Sequence, residues 1–371
     1  MSSDDDVSPN YLADRLREQI KREGPLTFRD WMQAALYDER DGYYCRGDLI
    51  RQGRAGDYRT APETSALFAA TFANYFAKLY SDLGAPAHWT IIEAGAGSGQ
   101  FARGVLHALQ SNFPRIFAAT TYLIDEISAD ARLKARANLE QFLDRVEFTR
   151  LADLSEPLPH GIIFSNELID AFPVHRVTVR GDALKELCVG VNQAAEFVWV
   201  ERDLRDEVAD FCERAGLSLA EGQIIEVNLG AEEFVAHAGH LLKNGLLITV
   251  DYGASRDELL TTPHRFAGTL RAFHRHQITD QILANPGSQD LTTTIDWTQL
   301  IETGTRTGFE TLRFERLDQF LLREGLPEIL LTMTDAMTDA VAIARLQVSA
   351  RDMIRPDRLA ASFQVLVQRK A

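Results

Sequence analysis

The stretch Ile91-Ile92-Glu93-Ala94-Gly95-Ala96-Gly97-Ser98-Gly99 constrains this 371-residue chain more than any other. A short apolar run ends in an acid, three alternating glycines follow, and a helix-compatible sequence runs from Phe101 to Gln110. The pattern predicts a strand, a tight loop and a helix, with the main chain open to a ligand where any Cβ would clash. A bare glycine turn has the same local pattern, so the surrounding sequence has to decide between them. The spacing departs from the dinucleotide fingerprint Gly-x-Gly-x-x-Gly. Counted from Gly95 and Gly97, the third glycine would fall at Gln100. Glu93 would also repel a pyrophosphate, whereas it suits a cationic ligand.

From Trp89 onward the texture alternates between strand and helix. Strands are predicted at 89–94, 120–126, 145–150, 161–165, 245–251, 309–316 and 362–368, with helices at 99–111 and 128–141. Such alternation implies right-handed crossovers and a mostly parallel sheet covered on both faces. The expected fold is α/β, a Rossmann-like seven-stranded sheet with a helical extension before it. The extension, residues 1–85, contains apolar spacing at Leu12, Leu16 and Ile20, and a second helix capped by Thr27. A third helix follows Pro62, with Phe68, Phe72, Tyr75 and Phe76 read as core. Residues 86–371 form the main domain, with a β-rich insertion at about 174–222 and a polar insertion at 252–296. The latter, rich in His, Arg, Thr and Gly, reads as a long functional loop.

Composition narrows the partners. A net charge of −15 argues against nucleic acid and anionic membranes and leaves room for a basic peptide. Cys45, Cys188 and Cys212 are too few and too scattered for a disulfide framework or a metal clamp. The apolar runs are strand-sized rather than membrane-sized. The N-terminus, Met1-Ser-Ser-Asp-Asp-Asp, has no secretory apolar core and is too acidic for a mitochondrial presequence. A cytoplasmic setting is expected.

The candidate site residues cluster at strand ends. S-adenosylmethionine, with a sulfonium, an ammonium and no phosphate, suits Glu93 and the loop Gly95, Gly97, Gly99 better than NAD does. The second strand ends in Asp125-Glu126, where an acid can accept the hydroxyls of a ribose. Glu126 is preferred, and a shift of one residue would substitute Asp125. Asp153 follows the third strand, where an acid can meet an adenine amino group. The fourth strand runs into Asn166-Glu167-Leu168-Ile169-Asp170. Paired carboxylates at Glu167 and Asp170 can bind a guanidinium fork and leave one nitrogen facing a methyl donor. The bland alternatives are a turn capped by Asp170 and an Asn166 side chain bonding its own loop. Arg271, His274, Arg275 and His276 form a basic knot in the polar insertion, with no acid or thiol to complete a metal site.

A set of motifs in fixed order adds to this reading. They are Pro25-Leu-Thr-Phe28, Asp41-Gly-Tyr-Tyr44, Gly56-Asp-Tyr58, Thr60-Ala-Pro-Glu63, the glycine loop, Asp125-Glu-Ile-Ser128, and Asn166 through His175. Asp251-Tyr-Gly253, Gly268 through His276, Asn285-Pro-Gly287 and Asp290-Leu-Thr292 complete the set. In these the chain resembles the MidA-like S-adenosylmethionine-dependent methyltransferases, a family that includes a mitochondrial arginine methyltransferase of complex I assembly. The resemblance implies cofactor contacts at Gly95, Gly97, Gly99 and Glu126, and a covering segment around Gly56, Thr60 and Pro62. It also implies an acceptor pocket bordered by Asn166 and Glu167. Ala96, Ser98, Gln100, Ala61 and Ser165 depart from the usual pattern without removing an expected carboxylate. The resulting expectation is a protein arginine N-methyltransferase. The rivals are an assembly factor that binds the cofactor without needing catalysis, and a small-molecule methyltransferase.

Overall fold

Apolar β-branched runs bounded by turns produce the strands of one large sheet, seen in a computed structural model that describes residues 11–47, 66–274, 277–335, 337–355 and 359–370. In chain order its main strands are β1 (Trp89–Ala94), β2 (Thr120–Asp125), β3 (Val146–Phe148), β4 (Gly161–Asn166), β5 (Gly245–Ala254), β6 (Phe309–Arg316) and β7 (Phe363–Lys370). They lie in the order β6-β7-β5-β4-β1-β2-β3, and the two-residue strand Ile295–Asp296 pairs with β5 as an eighth member. The five strands β3, β2, β1, β4 and β5 are parallel. The chain closes with β7 inserted antiparallel between β5 and β6.

Contacts divide the described residues into two units. The sheet belongs to residues 66–170, 232–253 and 295–370, and the other unit takes residues 11–47, 171–231 and 254–294. The helix Ala66–Asp82 joins the sheet unit, because nine of its buried side chains lie in one apolar cluster with those of β1, β4 and β5. The sequence boundary at 85 therefore separates this helix from the core in which it packs. That core is aromatic: Phe101 stacks on Phe164 with centroids 4.4 Å apart, and Phe72 stacks on Phe320 at 5.1 Å. Each such fully buried ring contributes about 1.5–3 kcal/mol.

The second unit is built differently. The helix Tyr11–Glu23 buries Leu12, Leu16 and Ile20, and Thr27 caps the helix Phe28–Tyr37 by accepting the Asp30 N–H at 3.0 Å. The strands Leu26–Thr27, His175–Arg180, Ala183–Val191, Phe197–Asp203 and Ile224–Val227 form a wholly antiparallel sheet. The polar insertion is not a long loop. It holds the helix Arg256–Thr261 and a three-stranded antiparallel sheet of Arg271–His274, Gln277–Thr279 and Asp290–Thr292. Strands of three or four residues are too short to show the alternation that marks a strand in sequence. No described helix is long and apolar enough to cross a membrane.

Candidate active site

The ends of β1, β2, β4 and β5 meet along one edge of the sheet, where parallel topology gathers their carboxyl termini. After β1, Gly95, Gly97 and Gly99 adopt φ of +73°, +53° and +71°. The main chain folds back so that the Gly95 and Ala96 N–H groups donate to the Asp125 carbonyl at 2.8 and 3.1 Å. A Cβ at Gly95 would lie 2.8 Å from Leu168 Cδ1, so that glycine makes room for the turn after β4. A Cβ on Gly97 would meet nothing within 4 Å and would project into open space. The helix Gln100–Asn112 starts directly behind this loop.

The acids around the loop are oriented by neutral donors. Glu93 is buried, and its Oε2 accepts the Tyr122 hydroxyl at 2.8 Å. Burial, together with the Glu93 carboxylate, pushes the Tyr122 phenol well above its usual range, so it stays a donor. Glu126 bridges the glycine loop and the next helix, accepting the Gly97 N–H at 2.8 Å and the Ser128 N–H at 2.7 Å. Asp125 is directed elsewhere: its Oδ1 accepts Arg150 Nε at 3.0 Å. Burial nevertheless raises its carboxyl above the usual value, against the pull of that guanidinium. Of the two adjacent acids, the one whose carboxylate reaches the glycine loop is Glu126. Asp153 is exposed, in the 3-10 turn Leu151–Asp153, and close enough for its charge to raise Asp125 further.

After β4, Asn166 is 8% exposed, and its Oδ1 is buried without a hydrogen-bond partner among the described residues. With Phe68, Glu93, Ala94, Gly95, Phe101 and Phe164 it lines a small recess that opens to solvent. Glu167 follows in the left-handed region at φ +48°, its N–H donating to the Val250 carbonyl at 3.0 Å. A non-glycine residue held there costs about 1–3 kcal/mol. Glu167 is half-buried, and its Oε1 accepts Asn166 Nδ2 at 3.4 Å, whereas Asp170 lies deeper. Asp170 is 5% exposed, and its Oδ2 accepts the Tyr252 hydroxyl at 2.6 Å.

Thus Glu93, Gly95, Gly97, Gly99, Glu126, Asn166, Glu167 and Asp170 come from strand ends and turns of the sheet unit. Gly56, Thr60 and Pro62 lie outside the described residues, as do Arg275, His276 and the His274 side chain. Arg271 donates to Thr294 Oγ1 at 3.1 Å. Two partners escaped sequence reasoning. Tyr122 carries a hydroxyl inside a buried strand, and such a group needs an acceptor, which was a signal available to find it. Leu168, which fills the space beside Gly95, gave none.

A seven-stranded sheet in this order, with a glycine loop after β1 and an acid after β2, defines a class I S-adenosylmethionine-dependent methyltransferase. The sequence comparisons agree. Residues 71–315 match the model of an S-adenosyl-L-methionine-dependent methyltransferase family. The chain belongs to that family, among its MidA-like members, and S-adenosylmethionine is its cofactor. The "protein arginine methyltransferase NDUFAF7 homolog, mitochondrial" of Drosophila melanogaster is 24% identical over 77% of this chain and 68% of its own. The Mus musculus protein arginine methyltransferase NDUFAF7 is 24% identical over 81% of this chain and 71% of its own. Among solved structures, a COG1565 superfamily member from Burkholderia thailandensis, crystallised with S-adenosyl-homocysteine, has a TM-score of 0.85 at 28% identity. It covers 96% of this chain and 91% of its own. The residues present fit the cofactor: the open space above Gly97, the buried Asn166 oxygen and the recess beside Glu93 are what a cationic nucleoside requires.

Proposed function

We propose that the protein is a protein arginine N-methyltransferase. The observation that carries this reading is Glu167, a carboxylate held in a strained conformation at a strand end, directly after Asn166, which lines the recess. Backbone strain of this kind concentrates at functional sites. The relatives named as arginine methyltransferases support the choice of acceptor, and the net charge of −15 suits a basic peptide.

When bound, the cofactor supplies a methyl group on a sulfonium sulfur. The main chain of Gly95, Gly97 and Gly99 would cradle it, Glu126 would accept the ribose hydroxyls, and Asp153 would meet the adenine amino group. Glu93 and the Asn166 oxygen, which line the recess, would face its cationic end. Glu167 takes two N–H groups of the acceptor guanidinium, drawing charge toward them and leaving the third nitrogen aligned for transfer. Asp170, buried behind it, supports the turn through Tyr252. The guanidinium nitrogen releases its proton after the methyl group has moved, so no strong base is needed. Gly56, Thr60 and Pro62 retain the covering role that the family resemblance implies.

The test is Glu167→Gln, studied by calorimetry with S-adenosylmethionine and by methyl transfer into a peptide or extract. Affinity should stay within about twofold while turnover falls on the order of a hundredfold. Undiminished turnover would remove Glu167 from the acceptor site.

A further inference from the structure

Asp251 lies toward the carboxyl end of β5 and is fully buried, yet the transfer proposed above does not use it. Its Oδ2 accepts the main-chain N–H of Ile169 at 3.2 Å and of Asp170 at 3.3 Å. Its Oδ1 accepts the N–H of Tyr252 at 2.8 Å. Ile169 and Asp170 begin the 3-10 turn Ile169–Ala171, and amides at the start of a helical turn need acceptors from outside it. Two residues earlier, Glu167 sits at φ +48° with its N–H on the Val250 carbonyl. The hydroxyl of Tyr252 donates to Asp170 Oδ2 at 2.6 Å. Three consecutive residues of β5 therefore hold the turn at positions 167, 169 and 170.

A strained residue keeps its conformation only when its surroundings over-determine it. We propose that Asp251 is the positioning residue of the acceptor turn, clamping the amides of Ile169 and Asp170 so that Glu167 is held facing the acceptor. The proposal rests on the reading of Glu167 given above. Asp251 takes no part in the chemistry. Burial and the adjacent Asp170 carboxylate hold the Asp251 carboxyl well above its usual range, which favours its neutral form, still able to accept these bonds.

The experiment uses the full chain and two variants. Asp251→Ala removes every acceptor, and Asp251→Asn fills the same volume but keeps a single one. Hydrogen exchange resolved by residue, S-adenosylmethionine calorimetry and turnover are measured on each. In Asp251→Ala the Ile169 and Asp170 amides should exchange roughly tenfold to a hundredfold faster, the equivalent of a lost hydrogen bond. The Gly97 amide and the cofactor affinity should hold, and kcat should fall with the KM for cofactor unchanged. In Asp251→Asn one side should loosen, either the Ile169 and Asp170 pair or the Tyr252 amide. Unchanged exchange at all three amides in Asp251→Asn, or at Ile169 and Asp170 in Asp251→Ala, overturns the clamp. Faster exchange with undiminished kcat overturns the positioning role while Glu167→Gln still impairs turnover. If Glu167→Gln is itself without effect, the acceptor reading fails, and the exchange data still judge the clamp separately.

Discussion

In the antiparallel unit the buried Glu226 meets the Arg176 guanidinium at 3.1 Å and also accepts the N–H and hydroxyl of Thr269, at 2.7 and 3.0 Å. In the same sheet Glu186 meets His175 Nδ1 at 2.7 Å, both side chains being almost wholly buried. In the sheet unit, Glu93 meets a phenol and Glu126 two main-chain amides. A guanidinium cancels the charge of its acid and fixes the fold around the pair. A phenol or an amide orients a carboxylate without cancelling its charge. Burial alone thus does not identify a functional acid. The nature of its donors separates scaffold from site, and the orienting donors lie at the strand ends.

The largest effect expected from this contrast is on stability. Glu226→Ala leaves the Arg176 guanidinium buried without its carboxylate and should destabilise the protein by about 3–5 kcal/mol, read from denaturant midpoints. A loss well under 1 kcal/mol would mean the pair is not scaffold, and the contrast would break at that point. Gly97→Val should instead act on binding. The new side chain occupies open space beside the recess, so calorimetry should show S-adenosylmethionine affinity reduced by at least about a hundredfold. The left-handed φ of +53° adds a stability cost of roughly 1–2 kcal/mol for a branched residue. Wild-type affinity in Gly97→Val would move the cofactor away from this loop.

The smallest effect is a pH dependence. Burial first, and then the Asp170 carboxylate, raise the folded Asp251 carboxyl above its unfolded value. The proton on Asp251 therefore supports the fold fully below the unfolded value, and that support is lost as pH rises through the folded one. Asp251→Asn cannot lose a proton there. The stability gap between it and the wild type should narrow as the solution becomes alkaline, which denaturation across pH would show. A gap independent of pH would contradict a buried neutral Asp251.

Much of the sheet was legible because its strands are short apolar runs between turns. All seven were predicted, β1 and β6 with the bounds observed. The reversal of β7 was not legible, since an apolar strand reads the same whichever way it runs. The polar segment 252–296 concealed its small sheet for the reason given above, strands of three or four residues. At the site, glycine spacing and the acids after each strand identified Gly95, Gly97, Glu93 and Glu126 as a group. The direction of each carboxylate did not follow from that. Asp170 and Glu167 are three residues apart in one turn, yet Asp170 is bonded to Tyr252, 82 positions away in the chain. Contacts over such separations depend on parallel β4 and β5 lying side by side.

The most direct test of the account is transfer of labelled methyl from S-adenosylmethionine into extract proteins, followed by mass spectrometry of the labelled position. Methylated arginine in a protein is expected, with the label lost in Glu167→Gln. Label confined to small molecules, or on another side chain, would contradict it.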